Sequence, residues 1–338
     1  MTDVTLVGAG ALGQGLAALL ARSGEVSLLA RRGPAQELLA AGSLTVRLPD
    51  GEAQVALGSG SGRIRVITDP EEIDPEAAVV LTPKGHNLPQ AIDQLAARWA
   101  PTTGYVLGLQ NGVAKDRLLI EAFGTERVLG AATVLGARRE PDGVIRVTSY
   151  GQSYLGELDG APTDRLRDLA GRFTDAGVPC RSDLDIRRLL WTKCVNALGV
   201  FGVTCLTQLP TNVVMRSEPL VQVFVEILAE GAEVAAAEGY PVGDFPDLSI
   251  ASWLALPVEE AVRQVTDRAR ATELTSFAYS SMAMDVILGR PTEVAAVFGD
   301  VIERGERHGL AVPRLRLVHD LVTGMDGVRE LVPHRQVD

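Results

Sequence analysis

Three features of this 338-residue chain predict its fold. A strand, a glycine-rich turn, a helix and a second strand follow one another within the first thirty-odd residues. Strand-like and helical runs then alternate to about residue 183, and helical periodicity dominates from 184 to the end. Together they predict an α/β nucleotide-binding domain of the Rossmann type over residues 1–183, followed by an all-α domain over 184–338.

The opening unit carries most of that reading. Val4, Thr5, Leu6 and Val7 form a short apolar run that reads as a buried strand. It breaks into Gly8-Ala9-Gly10-Ala11-Leu12-Gly13, the G-x-G-x-x-G spacing. Leu12, Leu16, Leu19 and Leu20 recur at helical spacing until Ser23-Gly24, and residues 26–30 read as a second strand. The motif alone is weak evidence, but strand–turn–helix–strand is the context it needs. Gly8 permits the tight turn, Gly10 lets backbone N–H groups approach a pyrophosphate, and Gly13 lets the helix lie close to the strand.

The end of the second strand bears on which dinucleotide is bound. A site for NAD usually places an acid about 20 residues beyond the glycines, against the ribose 2′-hydroxyl. Here the chain reads Ala30-Arg31-Arg32-Gly33. A guanidinium matches a 2′-phosphate in charge and geometry, so NADPH is the expected cofactor, with Arg31 the expected reader. Two solvated arginines after a strand are the plainer alternative.

Further along, residues 44–48 and 53–57 flank Pro49-Asp50-Gly51 as a hairpin, and 58–62 reads as a flexible connector. Residues 64–67 and 78–81 read as buried strands, followed by a helix around Ile92, Leu95 and Trp99 and a strand over 105–109. Lys84 and Asn111 fall at carboxyl ends of strands, where ligands sit in such sheets. A solvated loop lysine is the plain reading of Lys84, and for Asn111 an ordinary Asn-Gly turn fits the bare dipeptide equally well. Residues 128–135 and 144–149 read as antiparallel additions to the sheet edge; a helix over 163–175 and a strand near 179–181 close the domain. Helices are then expected over 189–206 (interrupted by glycines), 219–238, 257–270, 276–288, 292–308 and 313–323. A cleft between an α/β domain and a helical one is a preferred place for a small substrate.

Composition narrows the function classes. Apolar content of 46% and charged content of 22% are ordinary for a globular protein, and a net charge of −11 argues against nucleic acid or an anionic membrane as partner. The opening residues lack a basic segment followed by an apolar one, and no stretch reads as a membrane span, so a cytoplasmic location is expected. Cys180, Cys194 and Cys205 are odd in number with no C-x-x-C, and the four histidines show no ligand spacing. Neither a disulfide framework nor a metal site is indicated. The apolar helical half leaves room for a homodimer, though its inner face accounts for those residues as well.

Two stretches supply groups for carbonyl chemistry, which needs a proton donor and contacts that hold the substrate. In Trp191-Thr192-Lys193-Cys194-Val195-Asn196, Lys193 and Asn196 share a helix face. A lysine on so apolar a helix either snorkels or is held for a purpose. In the second stretch Ser281 and Asp285 share a face, Gly289 ends that helix, and Glu293 opens the next. A dipole-complementing glutamate and a serine bonded to its own backbone are the plain readings.

The order and spacing of these motifs resemble the ketopantoate reductase (2-dehydropantoate 2-reductase) family over nearly the whole chain. The resemblance runs through residues 8–13, Lys84, Gln110-Asn111-Gly112, Trp191-x-Lys193, Ser281-Met282-x-x-Asp285 and Gly289-Arg290-Pro291-Thr292-Glu293. It ends at His308-Gly309-Leu310-Ala311-Val312-Pro313. It implies NADPH-dependent reduction of the ketone of 2-dehydropantoate, in pantothenate biosynthesis. Lys193 would then donate the proton and Glu293 would orient the substrate or the lysine, with Asn111, Asn196 and Ser281 holding the substrate. The cofactor would lie on Gly8, Ala9, Gly10, Ala11, Leu12, Gly13, Arg31, Lys84, Asn111 and Glu293.

Two departures stand out. The family usually places Asn four residues after the lysine, whereas Asn196 comes three after Lys193. A further Asn, often before proline, is replaced by Val200-Phe201. These keep open a relative that reduces another 2-oxo acid or carbonyl. A non-catalytic NADPH-binding sensor fits less well, since it has no need of Lys193 and Glu293.

Overall fold

The computed structural model describes residues 3–48, 51–58, 62–244 and 249–331. They divide into two compact units, one within residues 3–110 and 115–186, the other within 111–114 and 187–331. The first is α/β. Its strands and helices are β1 (Val4–Val7), α1 (Ala11–Leu20), β2 (Val26–Leu29), α2 (Arg32–Ala41), β3 (Ser43–Leu48), β4 (Gly51–Ala56), β5 (Ile64–Ile67) and β6 (Ala78–Leu81). Then follow α3 (Leu88–Ala96), β7 (Tyr105–Gly108), α4 (Ala114–Phe123), β8 (Leu129–Ala132), β9 (Leu135–Arg139), β10 (Ile145–Tyr150), β11 (Ser153–Glu157), α5 (Asp164–Asp175) and β12 (Cys180–Ser182).

The main sheet is parallel, in the order β5-β2-β1-β6-β7. The chain leaves β1 on one side toward β2 and β5 and returns on the other to β6, so the strand order reverses between β1 and β6. Ligands of doubly wound sheets bind beyond the carboxyl ends at that point, where the glycine turn lies. All four residues of β1, β6 and β7 are buried, as strands covered on both faces require.

The later strands build two further sheets, ordered β4-β3-β10-β9 and β12-β11-β8, rather than simple additions to the main edge. The expected run over 128–135 divides at Thr133. Its Oγ1 accepts from Leu135 N at 2.9 Å and bonds Ser153 Oγ at 2.8 Å, which turns the chain from one sheet into the other. Single bridges, Val106 to Val128 and Leu57 to Ile64, still link these sheets to the main one. Helix α1 is covered by both the main sheet and β9–β10, where Gly15 faces Ala137, Ile145 and Val147. That explains its apolar content: Leu16, Leu19 and Leu20 are at most 1% exposed, and cutting any one back to Ala removes about 2–5 kcal/mol. The hairpin β3–β4 forms as expected, with its turn residues 49–50 outside the described residues, as is part of the connector 58–62.

The second unit is helical: α6 (Ile186–Thr207), α7 (Thr211–Val214), α8 (Glu218–Ala237), α9 (Ile250–Leu254), α10 (Val258–Ala271), α11 (Ser281–Ile287), a π-helical turn (Ala295–Gly299), α12 (Asp300–Arg307) and α13 (Pro313–Val328). The glycines of α6 do not interrupt it. A Cβ on Gly199 would lie 2.7 Å from the Phe224 ring, and one on Gly202 would lie 2.7 Å from Ile227, so they mark close approach to α8. By length and composition alone, α6 among the described residues could cross a membrane. Its apolar window is 72% buried, the pattern of a core helix.

The helix expected over 276–288 is shorter, starting only at Ser281. Backbone groups upstream are bound elsewhere: Ser276 O accepts from Asn212 Nδ2 at 2.6 Å, Ala278 N donates to Asn212 Oδ1 at 3.2 Å, and Ala278 O accepts from Thr211 N at 2.7 Å. Ser280 then caps α11 through its hydroxyl.

Candidate active site

In the α/β unit the glycine turn is fixed from below. Thr82, next after β6, donates its hydroxyl to Val7 O at 2.9 Å and Gly8 O at 3.0 Å. Gly8 takes φ +106°, and a Cβ on Gly13 would lie 2.0 Å from Gly8 O, so neither position accepts a side chain. Above Gly10 a Cβ would meet nothing within 4 Å. Gly10 caps α1, no side chain fills the cap, and the first turn holds no acid. Free N–H groups at a helix start with open space over them suit a phosphate.

Gly8 N donates to Leu29 O at 3.0 Å, which sets the turn beside the end of β2. There Arg31 caps α2 and Arg32 opens it, both exposed and with no acid in that first turn. Helix α2 was not expected from the sequence. Lys84 is exposed at the start of the 3₁₀ turn Gly85–Asn87, at the carboxyl end of β6. Gln110 Nε2 donates to Leu81 O at 3.0 Å and Pro83 O at 2.9 Å, fastening the ends of β6 and β7 together.

The helical unit gathers the groups suited to proton transfer. Lys193, half-buried on α6, donates from Nζ to Asn111 Oδ1 at 3.3 Å. Asn111 belongs to this unit although it follows β7. The reason lies in the next residue: Gly112 takes φ +83°, and a Cβ on it would be 3.1 Å from Ala296 O in the π-helical turn. Asn196 is half-buried three residues beyond Lys193, and its Oδ1 is buried without a hydrogen-bond partner among the described residues. A buried oxygen in that state is an acceptor waiting for a donor.

Glu293 is 5% exposed and stands just before the helical segment that contains the π turn, its carbonyl accepting from Val297 N at 3.0 Å. Asp285 is likewise buried. Ser281 opens α11 and is exposed; the neighbouring Ser280 makes the cap and a 2.7 Å hydroxyl bond to Thr204. Reasoning from sequence passed over Thr82, Thr204 and Asp326, and gave Gln110 no role of its own. No sequence signal marked Asp326, because the helix expected over 313–323 stops before it, whereas α13 runs on to Val328. Among the described residues no group of three or more His, Cys, Asp or Glu is placed to hold a metal ion.

Comparison with known proteins gives this geometry its context. A model described as ketopantoate reductase PanE/ApbA matches residues 4–160, and its C-terminal counterpart matches residues 185–326. The chain belongs to the ketopantoate reductase family. A 2-dehydropantoate 2-reductase of Halobacterium salinarum is 30% identical over 260 residues, 77% of this chain and 79% of that protein. The crystal structure of 2-dehydropantoate 2-reductase from Geobacter metallireducens matches with a TM-score of 0.78 at 28% identity, covering 95% of this chain and 99% of that one. D-mandelate dehydrogenase, solved with NADH and anilino(oxo)acetate, matches with a TM-score of 0.79 at 18% identity, over 97% of this chain and 100% of that one; it shares the fold. As a ketopantoate reductase family member, the chain is an oxidoreductase acting on a CH–OH group and its carbonyl counterpart.

Proposed function

We propose that this enzyme reduces the ketone of 2-dehydropantoate with NADPH. The Lys193–Asn111 contact carries the reading: a half-buried ammonium held by a side-chain amide on the helix face that also bears Asn196. Bound on the turn of residues 8–13, with Arg31 toward its 2′-phosphate and Lys84, Asn111 and Glu293 as further contacts, NADPH would supply the hydride. Lys193 Nζ delivers a proton to the ketone oxygen, giving the alcohol, and regains it from solvent. Asn111 Oδ1 fixes the direction of the ammonium, since an acceptor at hydrogen-bond distance orients a charged donor. Asn196 Oδ1 accepts from the substrate hydroxyl, Ser281 meets its carboxylate, and Glu293 orients the lysine or the substrate. Positioned general acids contribute about 10²–10⁴-fold.

A second reading is favoured by Val200 and Phe201, half-buried and buried, where the family more often has Asn and a following proline. An apolar pair there suits a 2-oxo acid with an apolar branch in place of the hydroxyl. Steady-state turnover over a panel of 2-oxo acids decides between them. A kcat/KM highest for 2-dehydropantoate supports the first reading; a higher value for a branched apolar 2-oxo acid replaces it with the second. No turnover of any member would remove both.

A further inference from the structure

Resting on the reading of Glu293 above, we infer that Asp326 is a positioning residue for Glu293, acting through Thr292. Thr292 N donates to Asp326 Oδ2 at 3.1 Å, and the Thr292 hydroxyl donates to the same oxygen at 2.7 Å. The hydroxyl oxygen in turn accepts from Val294 N at 3.4 Å. One carboxylate oxygen thereby ties the backbone on both sides of Glu293, whose own residue is 5% exposed, as is Thr292. The direction in which the Glu293 side chain leaves the backbone is set from α13, more than thirty residues away in sequence.

The cost of placing a carboxylate there supports a dedicated use. Asp326 lies in the last turn of α13, the negative end of the helix dipole, and no basic residue shares that turn. Arg329 Nη1 donates to the backbone carbonyl of Asp326 at 3.0 Å, leaving Oδ2 to Thr292. Downstream, the π-helical turn that follows Glu293 is also the seat of Gly112, next to the asparagine that holds Lys193. Small displacements of groups around a reacting centre cost rate steeply, so a brace on this segment acts on turnover rather than on folding alone.

The test uses the full-length enzyme with NADPH and 2-dehydropantoate, measuring kcat, KM, NADPH affinity by fluorescence and Tm for each variant. Asp326→Ala is expected to lower kcat by about tenfold or more, with NADPH affinity no lower than that of Glu293→Gln. Asp326→Asn, which keeps an acceptor oxygen, and Thr292→Ser, which keeps the hydroxyl, should recover most of that loss, and Thr292→Val should reproduce it. In a Glu293→Gln background, Asp326→Ala should cost little more, because both act through one group. A folded Asp326→Ala enzyme within twofold of wild-type kcat overturns the inference. So does a loss that multiplies in full with that of Glu293→Gln, which would make Asp326 a structural cap only. If Asp326→Ala does not fold, the Thr292→Val and Thr292→Ser pair decides on the same criteria. Wild-type turnover in Glu293→Gln removes the role of Glu293 itself and the inference with it; loss there, with full activity in Asp326→Ala, removes the inference alone.

Discussion

Asn111 and Lys193 meet across 82 residues of sequence, Oδ1 accepting from Nζ at 3.3 Å. The contact exists because residues 111–114 pack with the helical unit, while the strand before them and the helix after them belong mainly to the α/β one. Gly112 makes that excursion possible, since φ +83° is a conformation that side-chain-bearing residues rarely adopt, and a Cβ there would press to 3.1 Å on a carbonyl oxygen. The amide that aims the ammonium is thus fixed by its own neighbour.

Removing the ammonium should stop the chemistry. Lys193→Ala is expected to lower kcat by about 10²–10⁴-fold, with NADPH affinity by fluorescence nearly unchanged. Asn111→Ala leaves the ammonium present but unaimed and should cost less. Wild-type kcat in a folded Lys193→Ala protein would end the proposed proton transfer and leave water as the donor.

Cofactor preference should follow Arg31. The residue is exposed at the N-cap of α2, and the helix needs only its carbonyl, which accepts from Ala35 N at 2.9 Å. Arg31→Ala therefore keeps the helix while removing the guanidinium. The KM for NADPH should rise at least about tenfold, roughly 1.4 kcal/mol, with NADH little affected. Equal losses with both cofactors would show that Arg31 does not read a 2′-phosphate.

The parts of the fold legible in the sequence are those decided locally. Gly8 and Gly13 announce their turn because the steric demand sits within six residues, and Leu16, Leu19 and Leu20 announce α1 because burial repeats at helical spacing. The rest was set by partners far along the chain. Nothing near 272–280 says that its backbone would bind Asn212, nor that Thr133 would bond Ser153 and split a strand. Asn111 was legible as a polar group after a strand, but its unit was not. Asp326 stayed hidden because its role depends on Thr292, visible only once α13 is docked.

The same substitution should act with opposite signs at two helical glycines. Gly199→Ala gains roughly 1 kcal/mol of helix propensity, but its Cβ would lie 2.7 Å from the Phe224 ring and 2.8 Å from Leu228, both at most 1% exposed. Overpacking of that kind costs typically about 1–3 kcal/mol, and the buried ring has nowhere to move, so the net is destabilising. In α13 a Cβ on Gly324 meets nothing within 4 Å, so Gly324→Ala should stabilise by about 0.5–1 kcal/mol. Urea unfolding of both variants checks the pair, and a stabilised Gly199→Ala would refute the close-packing account of α6.

Acid stability should depend on Glu238, at the end of α8. Its carboxylate receives His308 Nε2 at 2.8 Å and the Arg304 guanidinium, which also bonds Asp300 at 2.8 Å and lies over the Trp191 ring. Burial alone would raise the Glu238 pKa. The hydrogen bonds from His308 and Arg304, with the charges of Arg304 and Arg307, outweigh burial and hold it below the ordinary carboxylate value. A depressed folded-state pKa means that the unfolded chain binds the proton more readily. The stabilisation is therefore complete above the unfolded carboxylate pKa of about 4.3 and is lost as pH falls through the lower folded value. Glu238→Gln keeps the shape and removes the charge, so its Tm should lie below wild type at pH 7. The gap should hold to about pH 5 and close in more acid solution, where the wild-type carboxylate is itself protonated. Arg304 stays charged throughout, and its remaining partner Asp300 keeps it in place in both proteins. A gap that is unchanged at pH 3, or absent at pH 7, would show that the ion pair joining α8 to α12 contributes packing but no charge-dependent stability.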